Sequence, residues 1–315
     1  MRRWVRLAVA DKVLLSSRPF GNAMDGKRFS TSGRLGDSQV ARPIRLAVFT
    51  LDLPEANAIT QRVLAAFRPQ VTGLIRSRSI RQGQRTWEAL KYLYGRSGPL
   101  LVAKALESAL CPIASQIPRL TGRVPRTAPL RRIAKIHGQT ICSTANINAP
   151  HMRQIVAGWQ PDLLVSIYMN QRFERELLDL APLGAINVHP SLLPQHRGLL
   201  PYIWAMADGD RQTGVTVHWM DESLDTGEII QQRSTPIHLG ESAVSLAHRC
   251  ADIAAEMMVE AIRSVQRGMA ARSPQEPRQG SYHSWPDRDC LLKCREQGHG
   301  YFSVADMWRE LSRAA

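Results

Sequence analysis

The stretch GAINVHPSLLPQHRGLLPYIWAMADGDRQTGVTVHWMDESLDTGEIIQQ, residues 184–232, decides how the chain is read. Residues 185–189 read as a short strand, and Asn187 and His189, two apart, leave the same face of it. Pro190 stops the ladder at once, because it has no N–H to donate. An amide and an imidazole thus stand side by side at the carboxyl end of a strand, where open α/β sheets place their ligand crevice. Residues 213–220 and 228–232 read as two further strands joined only by a loop, an antiparallel pair attached to a parallel sheet. Asp225, in the Leu-Asp-Thr-Gly-Glu turn between them, is expected over the same end of the sheet.

Outward from this stretch the pattern is strand, helix, strand. An apolar run at 44–50, a helical stretch at 56–67 and a second run at 71–75 open a right-handed parallel crossover. Residues 76–135 are helical in pattern and basic, with fifteen Lys and Arg against two Glu over 60–135. A short strand is expected at 140–145, a helix at 152–159 and a buried strand at 163–168. Apolar residues at 247, 250, 254, 257, 261 and 265 keep one helical face, and Gly268 is placed to end it. Residues 1–43 lack any sustained period and read as a basic, flexible extension, with Met24 as a second possible start. The expected organisation is an extension over 1–43, a catalytic domain over 44–268 and a short tail over 269–315.

Composition removes several classes. With 44% apolar and 22% charged residues, the 315-residue chain is ordinary globular material rather than a disordered, collagen-like or disulfide-scaffold protein. The cysteines, at 111, 142, 250, 290 and 294, form no staple framework and suit a reducing compartment, so a cytoplasmic protein is expected. No apolar run is long enough to span a membrane. The net charge of +14 is very uneven, since residues 136–315 carry sixteen Lys and Arg against twenty Asp and Glu. The loop after the first strand, Leu51-Asp52-Leu53-Pro54-Glu55-Ala56, lacks the glycine fingerprint of dinucleotide binding.

Asn187, His189 and Asp225 together suit acyl transfer to an amine. A carboxylate near an imidazole fixes its tautomer, and an amide N–H can donate to a developing oxyanion without titrating. No Ser or Cys nucleophile is required, because a deprotonated amine is itself a competent attacker. His218 could face the same site from its strand, but it is read as a packing or hydrogen-bonding residue, and His196 as a loop residue. Cys290, Cys294 and His299 lack a second cysteine pair for a tetrahedral site, so no metal is expected.

The elements Asn187-Val-His189-Pro-Ser191-Leu-Leu-Pro194, Arg197-Gly198, Pro201, Thr213-Gly214-Val215-Thr216 and Asp225-Thr226-Gly227 resemble the formyltransferase family that uses 10-formyltetrahydrofolate as donor. The resemblance implies an α/β fold: a Rossmann-like, mostly parallel twisted sheet with helices on both faces. It also implies that Asn187 steadies the formyl oxyanion, His189 assists the tetrahedral intermediate and Asp225 handles protons. The pterin of the folate would lie among Met169, Asn170, Gln171 and Arg172, the loop Ser191, Leu192, Leu193 and Pro194, and the loop Asp221, Glu222, Ser223 and Leu224.

The acceptor is expected to be a small-molecule amine, such as an amino sugar. Purine-pathway members resemble a glycine phosphate cradle at the position where this chain has Asp52, Pro54 and Glu55, which argues against a ribotide. Members acting on tRNA carry a separate C-terminal barrel, whereas 47 residues follow Gly268 here, and the half from 136 onward is acidic. The basic 60–135 block keeps methionyl-tRNA formylation open as a second reading. The block also reads as solvated helix faces or as a surface for a phosphate-bearing acceptor, the folate polyglutamate tail or an acidic partner. Hydrolysis of 10-formyltetrahydrofolate, with water as the acceptor, is a third reading of the chain, and a non-catalytic nucleic-acid-binding or regulatory relative is a fourth.

Overall fold

The structure, a computed structural model, describes residues 43–78, 87–98, 100, 102, 128–276 and 280–303. The chain divides into Met1–Val40 and Ala41–Ala315, and all of the described residues belong to the second unit. The expected extension therefore lies almost wholly outside the described residues, as do 79–86 and 103–127 of the basic block.

The segments LAVFT, LLVSI and AINVH are buried at every position, as befits parallel strands covered on both faces. They form β1 (Leu46–Thr50), β4 (Leu163–Ile167) and β5 (Ala185–His189); β2 (Val71–Ser77), β3 (Ile141–Thr144), β7 (Gln212–Trp219) and β8 (Ile229–Pro236) complete one sheet. Its order is β3-β2-β1-β4-β5-β7-β8. The first five strands are parallel, and β7 and β8 close the edge as an antiparallel pair. The strand order reverses between β1 and β4, as in doubly wound folds. Two-residue strands β6 (Arg197–Gly198) and β9 (Tyr282–His283) pair separately.

Pleating assigns alternate residues to the two faces. Leu46, Val48, Leu163, Val165, Ile186, Val188, Val215 and Val217 pack with helices α1 (Pro54–Phe67), α2 (Leu130–His137), α5 (Pro201–Ala207), α6 (Ala243–Gln266) and α7 (Arg288–Glu296). Ala47, Phe49, Ile75, Leu164 and Ala185 pack with α3 (Pro150–Trp159) and the single turn α4 (Arg175–Leu178). Residues 87–98 are also helical. Helix α1 starts two residues before the expected 56, because Pro54 is preorganised for the first turn and Glu55 complements the helix dipole there. The side chain of Ser242 caps α6 by accepting from the Ser245 N–H. Among the described residues no helix is long and apolar enough to cross a membrane.

The segment after Gly268 is tied to the sheet and its loops. The indole of Trp219 donates to Ala271 O at 3.0 Å, and Arg272 lies over the same ring. Trp204 Nε1 donates to Ser284 O at 3.1 Å, and Arg96 donates to both Trp285 O and Asp287. Through the β6–β9 pair this strap holds the 196–199 segment, which lies beside the residues considered next.

Candidate active site

Asn187 and His189 lie on β5, buried and on the face opposite Ile186 and Val188. The antiparallel register places His218 of β7 directly opposite Asn187, and Thr216 opposite His189. All four side chains therefore share a face. Trp219 pairs with Ile186, and Met220 N donates to Ala185 O, so the 220–228 turn leaves the sheet where β5 begins. The turn thus leaves from the amino end of β5, while Asp225 itself lies against His189, the last residue of that strand. Antiparallel pairing carries β7 back along β5, and the turn returns across the face to bring Asp225 to the histidines.

That turn is closely specified. Asp221 accepts from Ser223 N at 2.9 Å and from Thr226 Oγ1 at 2.8 Å, which closes the loop on itself. Gln275 Nε2 donates to Asp225 O and Gly227 O, fixing the backbone from the strap. Gly227 is obligatory, because a Cβ there would lie 1.9 Å from Trp219 O, a backbone atom that cannot yield. Asp225 has φ 57 and its carboxylate is largely buried.

His189 Nε2 lies 3.0 Å from His196 O. A carbonyl can only accept, so the ring proton sits on Nε2 and Nδ1 faces Asp225 Oδ1 at 3.5 Å. Asp225 Oδ1 is also 3.7 Å from His218 Nε2, while its Oδ2 accepts the Gly198 N–H at 3.0 Å. A proton arriving on His189 Nδ1 would therefore meet a carboxylate that is already oriented. Gly198 has φ 102, and a Cβ there would lie 2.0 Å from His283 O, so glycine lets the backbone N–H approach Asp225.

His218, read from the sequence as a packing or hydrogen-bonding residue, bonds directly to the site. Its Nδ1 donates to Trp219 O at 2.7 Å, which leaves the Nε2 lone pair to accept from Asn187 Nδ2 at 3.1 Å. The pair fixes which way the amide points. Asn187 Oδ1 is buried without a hydrogen-bond partner, and the second Nδ2 hydrogen is not used by His218. Burial pushes the His218 imidazole below its ordinary 6.5, against the opposing pull of the Asp225 charge and the Trp219 carbonyl.

A histidine held neutral by burial stabilises the fold above its unfolded value, and that contribution is lost as pH falls through the lowered folded value. Between about pH 6.5 and 5 the wild-type melting temperature is expected to drop more steeply than that of His218→Gln, which has nothing to protonate there. Equal slopes in thermal scans across that window would contradict a buried neutral His218.

The expected folate-binding segments differ in what holds them. In the loop after β5, Ser191 O accepts from Thr216 Oγ1, Leu193 N donates to Thr216 Oγ1, and Leu193 O accepts from Gln232. Ser191 Oγ donates to Gln195 O. These groups seat the loop on β7 and β8. After β4, Gln171 is buried and bonds Ser77 Oγ and Ile147 N, while Arg172 O accepts from Asn148. Asn170 accepts from Ser77, and Arg172 is exposed. Asp221, Glu222, Ser223 and Leu224 are all exposed along the returning turn. Sequence reading missed the His196 carbonyl, the Gly198 N–H and the site role of His218. Only His218 left a signal, in its alternation with Val217 and Trp219.

Residues 114–262 match a family model described as formyl transferase. The methionyl-tRNA formyltransferase of Syntrophus aciditrophicus (strain SB) is 36% identical over 198 residues, 62% of this chain and 62% of its own length. That of Anaeromyxobacter dehalogenans (strain 2CP-C) is 36% identical over 175 residues, 55% of this chain and 56% of its own. The chain thus spans between half and two thirds of the length of these curated relatives. Among solved structures, an N-formyltransferase from Helicobacter canadensis superimposes with TM-score 0.52 at 16% identity, covering 76% of this chain and 71% of that one. Glycinamide ribonucleotide transformylase 1 from Symbiobacterium toebii gives 0.51 at 19% identity, covering 74% and 93%. At these identities the likeness concerns the fold alone.

Proposed function

We propose, from the match of residues 114–262 to a formyl transferase family model, that the chain moves a formyl group from 10-formyltetrahydrofolate to an amine. The observation that carries this reading is the constellation of Asn187, His189 and Asp225 on one sheet face, with His218 orienting the amide. A buried amide with an unpartnered oxygen and an N–H to spare suits a site that takes a polar acyl group. The donor supplies the one-carbon unit. Asn187 Nδ2–H steadies the oxygen that gains charge as the amine adds to the formyl carbon. His189 Nδ1, backed by Asp225, takes the amine proton and returns it to the departing folate nitrogen. One C–N bond forms, one breaks, and the proton passes between the two nitrogens. The segments 169–172, 191–194 and 221–224 would frame the donor.

For the acceptor we favour a small amine. Asp221 and Glu222 stand exposed on the turn that carries Asp225, so they attract a cationic amine and repel a phosphate backbone. The names of the curated relatives and the basic 60–135 block support a second reading, charged initiator tRNA. Salt separates the two. Activity on a small amine is expected to change less than about twofold between 50 and 200 mM salt, whereas a tRNA acceptor would lose orders of magnitude through counterion release. Formylation of charged tRNA with a steep salt slope, and inactivity on amino sugars, would reverse the choice.

A further inference from the structure

A second group of ligand-bearing side chains meets on the far side of the 196–199 segment. His196 is 7% exposed, and its Nε2 lies 2.8 Å from Asp210 Oδ2. The Nε2 proton is therefore donated to that carboxylate, and the lone pair remains on Nδ1, which is buried without a hydrogen-bond partner. His283 of β9 presents a second buried ring nitrogen, Nε2, also without a partner. Asp208, which caps the C-terminus of α5, places Oδ2 3.9 Å from His196 Nδ1. One ligand atom from each of the three lies within 4.8 Å of the others.

The geometry points to a zinc site formed by His196 Nδ1, His283 Nε2 and the Asp208 carboxylate, with water as the fourth ligand. Two imidazole nitrogens and one carboxylate are a donor set that zinc accepts in tetrahedral geometry. Asp210 supplies what a zinc-bound histidine ordinarily has, a carboxylate on its other nitrogen that fixes the tautomer and raises ligand basicity. Ligands about 2 Å from zinc stand about 3.3 Å apart, so binding draws together atoms that now lie within 4.8 Å of one another. Asp208, 43% exposed in its side chain, already stands 3.9 Å from His196 Nδ1.

The position gives the ion a role. His196 belongs both to this cluster and, through its backbone carbonyl, to the contact that sets the His189 tautomer. Zinc would tie β9 of the strap to the loop that carries that carbonyl. Cys290 and Cys294 are not in the cluster, and Cys294 Sγ is already bonded to Ile203 O.

The test is zinc titration of the full chain in competition with a chromophoric chelator, together with the absorbance of the cobalt(II)-substituted protein. One zinc per chain is expected, weakened about tenfold or more in both Asp208→Ala and His283→Ala. Asp208 is exposed, so its variant folds whatever happens to the His283 variant. Cobalt is expected to give visible bands of a nitrogen–oxygen tetrahedral site without thiolate charge transfer. No stoichiometric zinc, unchanged affinity in Asp208→Ala, or a thiolate band assigning the ion to the cysteines would overturn the proposal.

Discussion

Asn187→Ala is expected to reduce formyl transfer by about 10²–10³-fold while the protein folds and binds donor as before. The amide is held by one hydrogen bond to a neutral His218, and its remaining N–H is what a formyl oxygen meets as charge develops. That interaction strengthens in the transition state, so kcat falls and KM for the donor stays near its wild-type value. Its loss leaves His218 Nε2 without its donor, a modest structural cost beside the catalytic one. Steady-state kinetics on the purified variant, with melting temperature as the control for folding, measure the effect. A tenfold rise in KM at unchanged kcat would mean that Asn187 binds ground state and transition state alike.

Asp225→Asn is expected to cost about 10²–10⁴-fold in turnover. The substitution is nearly isosteric and still offers an oxygen to the Gly198 N–H, so the turn closed by Asp221 and Thr226 keeps its shape. What disappears is the charge 3.5 Å from His189 Nδ1 and 3.7 Å from His218 Nε2. Without it, a proton on His189 Nδ1 has no carboxylate to stabilise it. The pH–rate profile therefore changes shape as well as height, which a purely structural role for Asp225 would not produce. An unchanged profile with wild-type turnover would remove Asp225 from proton handling.

The parallel core was legible because its strands are short, mostly apolar runs. LAVFT and LLVSI carry one small polar residue each and no alternating polar face, which marks burial on both sides, and the helices between them carry apolar stripes at helical spacing. The trio was legible because Asn187 and His189 are locked to one face by two-residue spacing and Pro190 ends the strand beside them. The path of Asp225 was not, since it depends on the β5–β7 register, a long-range pairing that no local pattern encodes. The same register moves His218 from an ordinary alternating position to the amide of Asn187. The strap from 271 to 287 was hidden for a different reason. It acts through backbone carbonyls, including that of Trp285, and the single side chains Gln275 and Asp287, which give no periodic signal. His196 and His283, 87 positions apart in sequence, likewise meet only through the β6–β9 pairing.

The most direct measurement follows isotopically labelled formyl carbon from 10-formyltetrahydrofolate in the presence of a panel of amines, with the wild type and Asp225→Asn side by side. The account predicts label in an N-formyl product, tetrahydrofolate released in equal amount, and both suppressed in the variant. Label appearing as free formate whatever amine is present would identify water as the acceptor. Tetrahydrofolate formation equal in wild type and variant would contradict the assignment of this sheet face as the site of transfer.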